Sequence, residues 1–367
     1  MKNIVVGAGI SGAAAARVLA ERGEKVLVID KRPHIGGTCY DYYHGSGICI
    51  HQYGPHIFHT NDKSVWDFLS RFTDWIPYMH KVAGLVDGTL VPIPFNLNSL
   101  CKVFPHSLAK CLEEKLLSRF GFNKRIPILE LQNNKDKDLA FLAAYIYIKV
   151  FLPYTMKQWG IRPDELDPSV TARVPVCLNR DDRYFQERWQ GIPARGYTAM
   201  MERMLRHKNI TVQTDTAWSD VKDEFRGSRV LYTGSVDEFM DYQFGELPYR
   251  SVRLEFREYA REFFQTHAVI NYPENYDFTR ITEYKHFLGD RASGTVVSFE
   301  YPEAYRPGEN LPFYPIPGQK NSRLYERYCS SVKKDHADVI FFGRLGDYKY
   351  YNMDAAVARA LAVTRVC

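Results

Sequence analysis

Three glycines near the start of the chain have a spacing that suits phosphate binding. Gly7, Gly9 and Gly12 form a G-x-G-x-x-G pattern that follows a short β-branched run and opens an alanine-rich segment. The first glycine permits a tight turn, the second lets a pyrophosphate approach a helix N-terminus, and the third lets helix and strand pack closely. Asp30 stands at the end of the next β-branched run, where a carboxylate can accept hydrogen bonds from ribose hydroxyls. The pattern predicts a dinucleotide site.

The pattern continues beyond these glycines. The spacing up to Asp30 is kept by Ala16, Leu19, Gly23, Val26 and Val28. Gly36-Gly37 follows Asp30 after five residues, and the whole resembles the long FAD-binding signature of the flavoprotein superfamily that includes the amine oxidases. FAD is therefore favoured over NAD. Near the other end of the chain, Asn352 suits the N-cap of a final helix, which in this superfamily commonly points its N-terminus at the flavin.

Histidine and cysteine spacing gives no metal site. His56 and His59 form an i, i+3 pair near His51, but no compelling third ligand accompanies them. The seven cysteines include no C-x-x-C pair. We therefore expect no metal, reduced thiols and a cytoplasmic location.

The pattern of apolar residues predicts the strands and the helix that position the glycines. Two β-branched runs, 3–6 and 25–29, flank the alanine-rich segment 11–22 and predict a βαβ unit. Two further runs, 229–234 and 338–343, are typical of buried parallel strands, and the second leads to a final helix over about 354–363.

Two other patterns occupy the middle of the chain. Residues 100–148 have apolar stretches with helical spacing, broken by Gly121, Pro127 and Asn133-Asn134-Lys135, which predicts a bundle of helices. Alternating runs such as 252–256 and 295–299 predict an antiparallel sheet. No uninterrupted apolar run is long enough to cross a bilayer, so we expect no membrane span.

The expected fold is α/β, with a FAD-binding Rossmann-like domain built from discontinuous segments, an inserted helical bundle and an antiparallel β-sheet domain. The predicted division gives the FAD-binding domain residues 1–76, 206–242 and 326–367. The sheet domain receives 77–98, 171–205 and 243–325, and the helical bundle with a mobile lid receives 99–170.

Composition limits the class of ligand. The 367 residues carry 48 Lys and Arg against 43 Asp and Glu, and a net charge of +5 over this much surface is too weak for a nucleic-acid binder. It suits a small anionic ligand. The 25 tyrosines and 22 phenylalanines are numerous, and tyrosine can both pack and donate a hydrogen bond.

Blocks along the whole chain, in order, resemble the bacterial UDP-galactopyranose mutases. The N-terminal blocks are 53–62 (YGPHIFHTND), 94–96 (PFN), 154–160 (YTMKQWG) and 173–175 (RVP). The later blocks are 184–185 (YF), 190–193 (QGIP), 196–198 (GYT), 249–251 (YRS), 279–281 (TRI), 314–315 (YP), 343–345 (GRL) and 348–351 (YKYY).

The resemblance implies an isomerase that interconverts UDP-galactopyranose and UDP-galactofuranose by ring contraction, without net redox, for cell-surface polysaccharide. In that family reduced FAD is taken to attack the anomeric carbon through its N5 atom and to displace UDP. An external reductant such as NAD(P)H and a homodimer are further expectations. The sequence itself offers no paired-carboxylate signature and no nucleophile elbow, as expected where the cofactor supplies the nucleophile.

The resemblance also implies residue roles. Arg173 and Arg280 are expected to hold the diphosphate and to be the catalytic pair. The expected substrate-binding residues are Phe95, Asn96, Tyr154, Trp159, Tyr184, Arg250, Tyr314 and Tyr350. The expected cofactor-binding residues are Gly7, Gly9, Ile10, Ser11, Gly12, Asp30, Lys31, Gly37, Thr38, His56, Ile57, His59, Gly234, Arg344, Tyr350, Asn352 and Met353.

Two features qualify this assignment. Residues 164–176, with Pro163, Pro168 and Pro175 limiting helicity, resemble the mobile lid that carries Arg173 over the substrate. Position 352 is Asn where the family usually has Asp, which keeps the helix cap but removes a charge near the flavin.

Three alternatives stay open from sequence. The same chemistry could act on UDP-N-acetylgalactopyranose, which needs room beside the sugar C2. A flavin oxidase or desaturase shares the N-terminal signature. The GDP-dissociation inhibitors of small GTPases share a related fold without flavin, and are not enzymes.

Overall fold

The structure, a computed structural model, describes residues 3–163 and 174–366 and divides them between two compact units. The first unit takes its residues from Met1–Tyr78, Glu187–Ser251 and Tyr305–Cys367, and the second from Met79–Gln186 and Val252–Ala304. The helices after residue 99 thus share a unit with the alternating strands. Residues 187–205, placed by sequence in the sheet domain, lie in the first unit. The division into seven segments stays a prediction.

The strands of the described chain are short and are numbered in chain order. They are β1 (Asn3–Val6), β2 (Val26–Ile29), β3 (Asp41–Tyr43), β4 (Cys49–His51), β5 (Phe58–Thr60), β6 (Trp75–Pro77), β7 (Val82–Val86), β8 (Thr89–Ile93), β9 (Arg125–Ile126) and β10 (Val176–Cys177). They continue as β11 (Trp189–Pro193), β12 (Ile210–Gln213), β13 (Arg229–Tyr232), β14 (Tyr249–Tyr259), β15 (Val269–Asn271), β16 (Arg280–Glu283), β17 (Thr295–Ala304), β18 (Tyr314–Pro315) and β19 (Val339–Phe341).

The α-helices are numbered in the same way. They are α1 (Ile10–Glu21), α2 (Lys63–Ser70), α3 (Leu97–Val103), α4 (His106–Phe120), α5 (Ile128–Gln132), α6 (Lys137–Ile146), α7 (Leu152–Trp159) and α8 (Gly196–Leu205). The remaining ones are α9 (Trp218–Val221), α10 (Val236–Phe239), α11 (Lys285–Leu288), α12 (Gln319–Asp335), α13 (Gly343–Gly346) and α14 (Met353–Val366). Short 3-10 turns occupy Gly37–Cys39 and Lys222–Phe225, and a π-helical turn occupies Tyr147–Phe151.

A five-stranded parallel sheet forms the centre of the first unit, in the order β12-β2-β1-β13-β19. On β1, Ile4 lies opposite Leu27 of β2 and Val230 of β13. Every residue of β1 is buried, as a parallel strand covered on both faces requires. The predicted βαβ unit and the parallel strands predicted within 229–234 and 338–343 are confirmed.

The sheet of the second unit is mixed rather than purely antiparallel. Within that unit the strand order is β14-β17-β16-β15-β7-β8, and the first residues of β14 pair with β18 inside the first unit. β16 runs antiparallel to β15 and β17, but β15 runs parallel to β7. Since β7 ends at Val86 and β15 begins only at Val269, a hairpin does not impose antiparallel pairing on these two strands.

The helices of the second unit enclose an apolar core of their own. α4 ends at Phe120 and is followed by Gly121, which has φ +85°; Pro127 precedes α5, and residues 133–135 separate α5 from α6. All three predicted breaks therefore fall at helix ends. One stretch, Lys137–Trp159, passes a length and composition test for a membrane span. Part of it packs inside the unit, since Leu142 and Ile146 lie in the helical core and are fully buried, and 39% of its apolar window is buried in all.

Candidate functional site

The first unit forms a glycine cradle at the carboxyl end of β1. A Cβ on Gly12 would lie 1.9 Å from the carbonyl oxygen of Gly7, so only glycine fits there. Gly37 has φ +55°, and a Cβ on it would lie 2.9 Å from the Cα of Gly9. The two backbones therefore touch where α1 begins, with Ile10 and Ser11 in its first turn. This cradle fits a pyrophosphate that approaches the amides of a helix N-terminus.

Asp30 closes the same cradle from the end of β2. Its buried carboxylate accepts hydrogen bonds from the backbone N–H groups of Ala8, at 2.8 Å, and Arg32, at 2.9 Å. The next residue, Lys31, is exposed and lies 2.5 Å from Glu238 in an ion pair. Asp30 is thus fixed by two backbone N–H groups, whereas the contact that the structure gives Lys31 is to a carboxylate. The expected contacts of both residues with the cofactor stay predictions.

Arg32 belongs to this cluster and was missed from sequence. Its guanidinium lies 3.6 Å from Asp30 and over the ring of Tyr53, at 5.7 Å from the centroid. In the part of the chain that the structure describes, its buried Nε atom has no hydrogen-bond acceptor. Its position could have been noticed in the sequence, because Arg32 is a cation two residues after Asp30 and a dinucleotide is an anion.

The histidine block lies in the same unit. The Nδ1 atom of His56 is 2.8 Å from the carbonyl oxygen of Gly54, and Nδ1 of His59 is 3.3 Å from a carboxylate oxygen of Glu187. His59 and the intervening Ile57 are buried.

Thr38 lies in the 3-10 turn that begins at Gly37, and Cys39 of that turn lies 3.7 Å from the sulfur of Met353. Met353, the first residue of α14, and Thr38 therefore lie in one region; Asn352 directly precedes that helix.

Asp41, Cys49 and His51 present ligand-type atoms within 4.8 Å of one another, all buried. The Asp41 carboxylate accepts the backbone N–H groups of Tyr197 and Thr198, at 2.5 and 2.8 Å, at the start of α8. Nδ1 of His51 accepts the N–H of His56 at 3.0 Å. These bonds give the cluster a structural role.

The buried His51 makes stability depend on pH. Burial lowers its pKa from 6.5 to about 3, so the folded protein keeps a neutral ring while the unfolded chain takes up a proton. We therefore expect the free energy of unfolding to fall between about pH 6.5 and pH 3, by at most about 1.4 kcal/mol per pH unit from this group. Urea unfolding at a series of pH values measures that slope. His51→Gln should be less stable near neutrality but have a flatter slope; an unchanged slope would contradict the assignment.

The C-terminal part of the first unit gathers cations and phenols. The Arg344 guanidinium donates to the carbonyl oxygen of Tyr351 at 2.9 Å and lies over the rings of Tyr314 and Tyr350, at 5.7 and 5.3 Å. Those two rings meet edge to face at 5.1 Å. Arg250 pairs in register with Tyr314, and burial lowers its pKa. Four predicted residues are therefore brought together, and we call them the Arg–Tyr group.

Gly234 lies beside the glycine cradle, two residues after β13: the hydroxyl of the preceding Thr233 lies 2.0 Å from the place that a Cβ on Gly7 would take. A Cβ on Gly234 would lie 2.7 Å from the ring of Tyr232, so a larger residue would displace a buried side chain of the parallel sheet.

In the second unit Arg280 is the first residue of β16 and is held by a carboxylate. Its Nε and one Nη atom lie 2.7 and 2.5 Å from the same oxygen of Glu300 on β17. Glu300 is 2% exposed, and its other oxygen accepts the hydroxyl of Thr279 at 3.2 Å. Sequence reasoning missed Glu300, because its partner lies on a neighbouring strand rather than nearby in the chain.

The other predicted substrate residues of the second unit have varied surroundings. Tyr154 and Trp159 both lie on α7, where Trp159 is buried and Tyr154 is half-buried. Tyr184 packs edge to face against Phe185 at 5.0 Å. Arg173 and residues 164–173 of the expected lid lie outside the described residues.

Phe95 and Asn96 are each 2% exposed and serve the fold. Phe95 belongs to the helical core. The Asn96 side chain caps α3 by accepting the N–H groups of Asn98 and Ser99, and its amide donates to Asp182 at 2.9 Å. Helix capping accounts for the asparagine, and its expected contact with substrate stays a prediction.

Comparison with known proteins decides the family. Residues 149–350 match the family model described as UDP-galactopyranose mutase, and residues 5–72 match that of an NAD(P)-binding Rossmann-like domain. A Klebsiella pneumoniae protein named "Probable UDP-galactopyranose mutase" is 37% identical over 98% of this chain and 93% of its own. The chain belongs to the UDP-galactopyranose mutase family.

Membership of the UDP-galactopyranose mutase family makes the protein an isomerase and a flavoprotein. A crystal structure of reduced UDP-galactopyranose mutase has the same fold, with a TM-score of 0.72 at 16% identity over 99% of this chain and 93% of the other. Together with the glycine cradle and the Rossmann-like match, the family identifies FAD as the cofactor of the first unit.

Relatives of UDP-galactopyranose mutase differ in the names of their substrates. An Escherichia coli protein named dTDP-fucopyranose mutase is 34% identical over 98% of this chain and 96% of its own. Its identity is close to that of the Klebsiella relative, so overall similarity does not select the nucleotide sugar.

Proposed function

We propose that the protein interconverts UDP-galactopyranose and UDP-galactofuranose while its FAD is reduced. The observation that carries this proposal is the Arg–Tyr group of the first unit, in which Arg250, Tyr314, Tyr350 and Arg344 cluster within the unit that has the glycine cradle. Two guanidinium groups and two phenols suit the diphosphate and sugar hydroxyls of a nucleotide sugar.

The residues act through binding and charge. When bound and reduced, the flavin supplies at N5 the nucleophile for the anomeric carbon of the sugar. The bond from that carbon to UDP breaks, and UDP leaves with the electron pair. Arg280, held by Glu300, and Arg173 stabilise the charge that develops on the diphosphate. The original ring C–O bond then opens and a different hydroxyl closes on the same carbon. The returning UDP oxygen takes the place of the nucleophile there, so the ring size changes without net redox.

The tyrosines fix the nucleotide around that reaction. The hydroxyl groups of Tyr184, Tyr314 and Tyr350 donate hydrogen bonds to the phosphates. Tyr154 stacks on the uracil, and Trp159 forms part of the pocket wall beside it. The position of Tyr154 and Trp159 on one short helix supports this division of roles.

A panel of nucleotide sugars tests the proposal. The holoenzyme, reduced under anaerobic conditions, is incubated with UDP-galactose, UDP-N-acetylgalactosamine and dTDP-fucose, and the furanose products are separated by chromatography. Conversion of UDP-galactose at the highest kcat/KM supports the proposal. A preference for the N-acetylated sugar or for the dTDP-sugar would change the proposed substrate. A parallel incubation in air measures oxygen uptake, and oxygen consumption without isomerisation would show that the protein is an oxidase instead.

We further propose a cytoplasmic homodimer that receives electrons from NAD(P)H. The homodimer follows from the family resemblance. Phe141, Ile148 and Met156 of the second unit, which are 50%, 54% and 43% exposed, are apolar side chains that a second copy would be able to cover. Light scattering of the purified holoenzyme gives its mass in solution, and a mass near 42.5 kDa would contradict the dimer. Bleaching of the flavin by NADH or NADPH tests the reductant.

A further inference from the structure

The side chain of Lys157, near the end of α7, enters a loop of the second unit and is surrounded by carbonyl oxygens. Its Nζ atom lies 2.5 Å from the oxygen of Tyr272, 3.0 Å from that of Glu274, 2.9 Å from that of Tyr276 and 3.3 Å from that of Phe278. These are alternate residues of one segment. The segment therefore curls around the ammonium group.

Such an arrangement is costly to disturb. A lysine ammonium has three N–H donors, and the four carbonyl groups share them. Burial lowers the pKa of Lys157 to about 8, so the group still carries its charge near neutrality. An apolar residue at this position would leave several carbonyl groups without a hydrogen-bond donor. Because an unpaired carbonyl group is costly, the loop would then favour a different conformation in which these groups are bound by water.

The segment that Lys157 holds leads directly to Arg280. Residues 272–279 connect β15 to β16, and Arg280 is the first residue of β16, opposite Asn271. The loop is closed by the N–H of Tyr272, which donates to the carbonyl oxygen of Thr279 at 2.8 Å. Any change in the loop therefore alters the start of the strand that presents Arg280.

A second lysine fixes the outer part of this loop. Lys149, two helical turns before Lys157, lies 2.8 Å from a carboxylate oxygen of Glu274 and 2.6 Å from one of Asp87. This ion pair is partly exposed, so solvent screens it. Lys157 is half-buried and holds the backbone carbonyl groups of the loop, and it comes from the helix that carries Tyr154 and Trp159.

We propose that Lys157 is a positioning residue that joins the nucleotide-binding helix α7 to the loop before Arg280, so that the contacts to base and diphosphate form together. The role rests on the proposed function, because it assigns the base to Tyr154 and the diphosphate to Arg280. Lys157 itself contacts neither substrate nor cofactor in this assignment.

The test replaces the ammonium group and measures UDP binding. In the FAD-loaded holoenzyme, Lys157→Met should weaken UDP binding about tenfold to a hundredfold, measured by calorimetry, and should lower kcat/KM with it. FAD content should be unchanged, since the glycine cradle belongs to the first unit. Lys157→Arg keeps the charge and should recover part of the affinity, which a purely steric role would not allow.

A matched control separates this role from general stability. Lys285, just beyond the other end of β16, also lies among carbonyl oxygens, those of Glu262, Ala292 and Gly294 at 2.8, 2.5 and 3.4 Å. Lys285→Met should lower the melting temperature as Lys157→Met does, but leave the affinity for UDP unchanged. Equal losses of UDP affinity in both variants would overturn the proposal.

A double-mutant cycle tests whether Lys157 acts through Arg280. Added to Arg280→Ala, Lys157→Met should cause a much smaller further loss of UDP affinity than it causes alone, whereas additive losses overturn the role. Wild-type affinity in Lys157→Met would contradict the positioning role alone. Failure of the unaltered protein to bind UDP would contradict the proposed function, and the positioning role with it.

Discussion

We expect Arg280→Ala to lower kcat/KM for the proposed reaction by about a hundredfold to a thousandfold, the loss typical of removing one charged donor from a developing anion. The guanidinium is held by a buried carboxylate, so its direction is fixed before substrate arrives. Steady-state kinetics with the reduced holoenzyme and UDP-galactose measure the effect. Arg280→Lys keeps the charge but not the planar fork, and should recover only part of the rate.

Two control variants show whether the loss of activity is specific to Arg280. Arg253 lies in the same unit, pairs with Glu303 at 2.9 Å and stacks on Tyr301 at 4.2 Å, and Arg253→Ala should retain wild-type kcat/KM. Arg280→Ala leaves the Glu300 carboxylate buried without its cation, which is destabilising. The double variant Arg280→Ala with Glu300→Gln should regain melting temperature but not activity. Near-wild-type turnover in Arg280→Ala would exclude it from the catalytic group.

Turnover depends on the redox state of the cofactor even though the reaction is redox-neutral. We expect no isomerisation with oxidised FAD and full activity once dithionite or a reduced nicotinamide has bleached the yellow protein, because only the reduced flavin has a nucleophilic N5. The residues of the glycine cradle and the N-terminus of α14 suit a cofactor that gains negative charge on reduction.

The same preparation provides the control for this second result. Substrate is added anaerobically before and after reduction, and air is then admitted to reoxidise the flavin, which should stop the reaction without loss of bound FAD. Equal rates with oxidised and reduced protein would contradict the proposed chemistry. Stoichiometric oxygen uptake driven by the sugar would indicate an oxidase.

Local patterns explain which parts of the fold could be predicted. The strand-to-helix turn at Gly12 and the strand Arg229–Tyr232 could be predicted from short sequence patterns. A glycine-rich turn and a run of apolar residues in a buried strand can both be recognised from the adjacent residues. The mixed pairing of β7 with β15 could not, since strand direction there depends on a connection that runs from Val86 to Val269. Helix α12 has exposed lysines in its last turn and was not predicted.

The residues of the candidate site likewise differ in whether they could be predicted from the sequence. Arg280 and Tyr314 were expected from the family resemblance, and their roles stay predictions. Glu300, which binds Arg280, and Lys157, which binds the loop before it, became visible only through contacts between distant parts of the chain. Asn96 was assigned to substrate although its N-x-x-S spacing, completed by Ser99, is that of a helix cap and could have been recognised. Arg173 stays a prediction.

The chain passes between the two units four times, after residues 78, 186, 251 and 304, and the last two crossings bracket most of β14 and the whole of β17. Neither unit is therefore a contiguous gene fragment. A chimera with the dTDP-fucopyranose mutase that keeps both hydrophobic cores intact must replace 79–186 and 252–304 in one step, because a single crossover would join halves of two different cores. Divergence of specificity in this family is correspondingly expected to proceed by point substitution within a retained scaffold, rather than by shuffling of modules.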